Sequence, residues 1–129
     1  PDDSIVLPEV ISKEPLAPAV RQGDAQWFNI IRWTQFAMLN AEELGITKAN
    51  VDEKVKSPMP EVRRLLGVEG DFGKGMGLGK DWAYRIVKHV GNYGESFERT
   101  VGENSKLKIK RGLNNLWSKG GLQYAPPVR

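Results

Sequence analysis

The densest group of residues that could do chemistry is the loop Gly70-Asp71-Phe72-Gly73-Lys74-Gly75-Met76-Gly77-Leu78-Gly79-Lys80. Glycines let consecutive backbone N–H groups approach a phosphate, and a lysine adds positive charge. The spacing does not fit that use. A phosphate loop closes on Gly-Lys-Ser/Thr, whereas Gly79-Lys80 is followed by Asp81. The third glycine of a dinucleotide pattern would fall on Leu78 or on Lys80, and no apolar strand comes before the loop. The stretch therefore reads as a flexible connector.

The other candidates are weaker. His89 is the single histidine, and no cysteine or Gly-x-Ser-x-Gly elbow accompanies it. It shares a helical spacing with Trp82, Ile86, Tyr93 and Phe97, so it is expected to be a partly buried packing residue. Glu42, Glu43, Asp52 and Glu53 read as solvated carboxylates near helix ends and bases. Trp27, Trp33 and Trp82 lie in helical periodicity and are expected in the core, with Trp117 outside that pattern. The run Lys106-Leu107-Lys108-Ile109-Lys110-Arg111 alternates basic and apolar residues. It reads as a short strand or extended segment with two apolar anchors and a wet basic side. No catalytic set, cofactor motif or metal cluster results, and an enzyme is not expected. The absence of cysteine excludes disulfides and Cys-ligated metals.

The elements that would position these residues are mostly helical. The chain has 129 residues, 40% hydrophobic and 27% charged, which is enough for one packed domain. A net charge of +3 does not by itself suggest a nucleic-acid or lipid partner. No apolar run approaches the ~18 residues of a membrane span. The start Pro1-Asp2-Asp3 lacks an initiator Met and reads as a processed product or a piece of something longer. Residues 5–11, Ile-Val-Leu-Pro-Glu-Val-Ile, read as a strand, followed by an extended stretch through Pro15 and Pro18.

Asp24 is expected to cap a long helix ending at Gly45, covered on more than one side, with Asn29, Arg32, Asn40 and Glu43 on its polar side. Short helices are expected over 50–56 and 60–67, with Pro60 in the first turn. Asp81 is expected to cap a second major helix, which Gly91 and Gly94 weaken or split in two. A further short helix would fit 112–119, with an irregular tail from Tyr124 to Arg129. One or two strands in a helical chain leave backbone groups without partners. A sheet in another part of the molecule would solve this.

The residues from Ile5 to Phe28 closely resemble the general L-amino-acid-binding periplasmic proteins, the solute-binding components of polar amino-acid ABC transporters. The segments 41–46 (Ala-Glu-Glu-Leu-Gly-Ile), 92–99 (Asn-Tyr-Gly-Glu-Ser-Phe-Glu-Arg) and 120–129 (Gly-Gly-Leu-Gln-Tyr-Ala-Pro-Pro-Val-Arg) resemble the same family, in the same order.

The resemblance implies an α/β fold: the C-terminal part of a two-lobed, type II periplasmic-binding-protein architecture, helical here with one or two strands. Residues 1–14 would be the last strand of the second lobe and the hinge. Residues 15–129 would complete the first lobe, with a helical insertion at about 47–80. It places the hinge at Lys13, Glu14 and Pro15 and puts most ligand-binding residues upstream of Pro1. The implied partners are an L-amino acid, an ABC transporter permease, and either the missing N-terminal portion or a swapped copy. No nucleic acid, cofactor or metal is implied, and the periplasm is the expected compartment. The alternative from residues alone is a stand-alone helical interaction or nucleic-acid-binding module acting through 106–111.

Overall fold

The computed structural model describes residues 7–9 and 11–129. Its longest element, α1, spans Ala25–Glu43. The Asp24 side chain accepts the Trp27 N–H and fixes the start of the helix, as expected. At the other end, Ile46 N–H donates to Ala41 O and Gly45 N–H to Glu42 O. This pair of bonds closes the last turn around a left-handed Gly45 and folds the buried Ile46 back onto the helix.

Helix α2 (Val51–Lys54) stops before Ser57-Pro58, and α3 (Pro60–Leu65) starts on Pro60 at its first turn. A loop containing a 3₁₀ turn at Lys74–Met76 leads to α4 (Trp82–Val90) and α5 (Tyr93–Thr100). The expected division of the second major helix falls at Gly91, whose positive φ turns the chain. Asp81 stands at the N-cap of α4, but its side chain makes no capping bond, contrary to expectation.

Two apolar clusters lie on two sides of α1, so its expected double coverage holds. On one side Ala37 and Ala41 meet Val51, Val62, Leu65, Leu66, Trp82, Ala83 and Val87. On the other, Leu39 and Phe36 meet Leu116, Ala125 and Tyr93. The region 47–80 thus supplies a large share of the main core. So does the tail, because Val128 is buried in the first cluster and Ala125 in the second. The irregular tail is part of the packing.

Several expectations need correction. Among the described residues there is no strand, only one isolated parallel bridge between Leu116 and Gln123. Of the expected strand at 5–11, residues 5, 6 and 10 lie outside the described residues, and 7–9 and 11 are irregular and exposed. A lone strand cannot form a ladder, and among the described residues there is no partner strand. Residues 112–119 form two 3₁₀ turns, Gly112–Asn114 and Trp117–Lys119, in place of one helix. Trp27 is about half exposed, and His89 is exposed. The buried face of α4 is centred on Ala83 and Val87, and His89 lies two residues, or about 200°, beyond Val87. The break at Gly91 separates it from Tyr93 and Phe97. Asn40 is buried, not polar-facing.

Candidate functional site

The polar residues best ordered by the fold serve as fasteners. Glu42, in the last turn of α1, accepts two bonds from the Arg111 guanidinium, at 3.0 and 3.1 Å. The side chains of Arg111 and Glu42 are only 15% and 10% exposed. The guanidinium lies 5.3 Å from the centroid of the Tyr93 ring and 5.3 Å from that of Phe97, and it also donates to Asn114 O. Gly94 makes this close approach possible: a Cβ there would lie 2.9 Å from an Arg111 nitrogen and 3.0 Å from the Glu42 carboxyl carbon. Burial raises the pKa of the Tyr93 phenol, Arg111 opposes the shift, and Glu42 adds to it. The solvated reading of Glu42, and that of Arg111 as part of a wet basic side, are therefore corrected. The one sequence sign of this site is a glycine placed inside a helical pattern.

A second fastener joins the α1–α2 loop to the start of α5. Asn92 accepts the Glu95 N–H while Glu95 accepts the Asn92 N–H, so the two cap α5 reciprocally. Asn92 also donates to Ile46 O at 2.8 Å, and Glu95 accepts the Lys48 N–H. Asp52, exposed as expected, takes bonds from Tyr84 and Lys88. These bonds lower the pKa of Asp52, Lys88 first and then Tyr84, and raise those of Tyr84 and Lys88. Asn40 ties the tail to α1 by donating to Pro126 O at 2.9 Å. None of these sets pairs a nucleophile with a base. Among the described residues no group of three side chains could hold a metal.

The surface left without cover lies elsewhere. Residues 11–19 are irregular and exposed, including the candidate hinge residues Lys13, Glu14 and Pro15. Ile11 is 97% and Leu16 94% exposed. The chain then enters α1, whose first two turns present Trp27 and Phe28, 49% and 48% exposed. Beside them, a cleft of about 320 Å³ is lined by Asn29, Arg32, Trp33, Phe72, Met76, Trp82 and Arg129. An extended apolar segment running into an uncovered apolar helix is a surface suited to packing against other protein. The basic run 106–110 is exposed on a separate loop.

No family profile matches the chain. Curated proteins and a solved structure do. The general L-amino acid-binding periplasmic protein AapJ of Rhizobium johnstonii is 63% identical over 131 residues, covering 100% of this chain and 38% of that protein. The amino-acid ABC transporter-binding protein YhdW of Escherichia coli is 65% identical, with the same coverages of 100% and 38%. The glutamate/glutamine/aspartate/asparagine-binding protein BztA of Rhodobacter capsulatus is 54% identical, covering 98% of this chain and 38% of that one. A periplasmic binding protein of an ABC transporter from Brucella ovis, solved with glutathione bound, superimposes with a TM-score of 0.93 at 60% identity. That match covers 99% of this chain and 40% of the solved one. The relatives are binding proteins, not enzymes. The chain spans 38% of the length of the curated relatives it matches. The helical body and the uncovered segment together are those of one part of a larger binding protein. Over its full length, the chain belongs to the periplasmic amino-acid-binding proteins of ABC transporters, of which it is a partial segment.

Proposed function

We propose that this chain is the C-terminal portion of a type II, two-lobed periplasmic protein that captures L-amino acids and hands them to an ABC transporter permease. The observation that carries the reading is the match along the whole chain to amino-acid-binding relatives, of which it covers 38%. The uncovered segment supports it: Ile11, Leu16, Trp27 and Phe28 would be covered by the remaining part of the binding protein. The ligands named for the relatives are L-amino acids, glutamate, glutamine, aspartate, asparagine and glutathione. All carry an α-ammonium and an α-carboxylate. That pair is the head group the intact protein would grip, with charged partners for each end.

In this reading Lys13, Glu14 and Pro15 form the hinge. They are exposed and outside any helix, so backbone rotation there breaks no packing. Residues 1–14 would belong to the second lobe and the hinge, and 15–129 would complete the first lobe, with a helical insertion at about 47–80. Calorimetric titration of the full-length protein with L-amino acids tests the reading. Saturable binding is expected, with closure visible as a smaller radius of gyration in solution scattering. This segment alone is expected to bind none of them. Absence of binding by the full-length protein to any L-amino acid would overturn the proposal.

A further inference from the structure

Between α5 and the 3₁₀ turn at Gly112–Asn114, the chain makes a loop clamped at both ends. On one side Ser105 N–H and its hydroxyl both donate to Gly102 O, and Ile109 N–H donates to Val101 O at 2.9 Å. On the other side Arg111 is locked to Glu42. Between these anchors Lys106, Lys108 and Lys110 are all exposed, with Leu107 63% and Ile109 47% exposed between them. Lys108 has a positive φ of 51, outside the usual range for a lysine, so the backbone turns back at the middle of the loop. Among the described residues, none of the three lysines has a carboxylate within salt-bridge distance.

Three unpaired ammonium groups interleaved with two uncovered aliphatic side chains match one environment best. An anionic bilayer surface takes up the aliphatic groups at its headgroup boundary and the ammonium groups at its phosphates. A nucleic-acid backbone would use the lysines and leave Leu107 and Ile109 wet. We infer that the 106–110 loop is a peripheral membrane contact, which docks this protein weakly and reversibly on anionic phospholipid through Lys106, Lys108, Lys110, Leu107 and Ile109. Each lysine near such a surface raises partitioning on the order of fivefold, so the three together supply roughly a hundredfold, before any contribution from the aliphatic pair.

The test uses the full-length protein and sedimentation with vesicles, either phosphatidylcholine alone or phosphatidylcholine mixed with phosphatidylglycerol. Binding to the mixed vesicles only is expected, falling as salt is added. The triple change Lys106→Glu, Lys108→Glu and Lys110→Glu should abolish it. The pair Leu107→Asn and Ile109→Asn should weaken it several-fold. Amino-acid affinity, measured on the same preparations, should not move in either variant, which keeps this inference separate from the transport reading. Equal binding to both vesicle types, undiminished binding by the triple variant, or retention on duplex DNA but not on vesicles would each overturn it.

Discussion

The two halves of α1 are similarly apolar and end differently. Its C-terminal half buries Ala37, Leu39, Asn40 and Ala41 between two clusters. Its N-terminal half leaves Trp27 and Phe28 about half exposed. The residues do not explain this, since Trp and Phe lose more free energy in water than Ala does. What differs is the neighbours. The second half is met on two sides, by α4, α5 and the tail, while in the first half only Ile30 and Trp33 pack on the main cluster and the preceding residues 11–19 are exposed. Large aromatic side chains left half exposed on the first turns of a helix mark a surface suited to further protein.

The largest expected effect sharpens that contrast. Trp82 is 6% exposed, and Trp82→Ala should lower stability by about 3–5 kcal/mol. Trp27→Ala in this chain alone should cost less than about 1 kcal/mol, as expected of a half-exposed site. In the full-length protein the same change should cost about 2–3 kcal/mol if the rest of the molecule covers Trp27. Urea midpoints for both variants in both contexts decide the matter. Equal losses at Trp27 in the two contexts would break the comparison.

The helices were legible because their signals are local. Asp24 acts through a side-chain cap and Gly45, Pro60 and Gly91 through backbone geometry, each within a few residues, and all four fall where the sequence puts them. Burial was less legible because it depends on partners far along the chain. Glu42 and Arg111 are 69 residues apart, and Asn40 and Pro126 are 86 apart. No periodicity links such positions, so both contacts were missed, along with the burial of Ala125 and Val128. His89 failed for a related reason: a spacing was carried across a helix break. The family was legible because long unlike segments agree in order, which is a different kind of signal from folding physics.

A middle-sized effect comes from the Glu42–Arg111 pair. Glu42→Gln or Arg111→Met should each cost about 2–4 kcal/mol, because each leaves a largely buried charge without its partner. The double variant should recover part of that loss, since it removes both charges. A double-mutant cycle in thermal unfolding measures this, and strictly additive losses would show that the pair is not a coupled unit. Asn92→Ala should cost less, about 1–2 kcal/mol, from loss of the cap on α5 and of the bond to Ile46 O. It should also speed amide exchange in α5 more than in α1.

The smallest effect is the pH dependence of the same buried corner. The Tyr93 phenol has a raised pKa in the folded chain, mainly because burial disfavours the phenolate. Between its ordinary value near 10 and the raised folded value, the folded state holds a proton that the unfolded state has lost. Stability must therefore fall as pH rises through that window, and it is unaffected by this group below it. Tyr93→Phe removes the ionisation while keeping the ring under Arg111. The alkaline loss of stability should accordingly be shallower in the variant, and the two proteins should keep a constant difference at neutral pH. Arg111 opposes the shift, so Arg111→Met should steepen the alkaline loss while Tyr93 is present and leave it unchanged in the Tyr93→Phe background. Parallel denaturation curves across the alkaline range in all these proteins would mean that the Tyr93 hydroxyl is wet, and that the corner between α1 and α5 is as open as the first turns of α1.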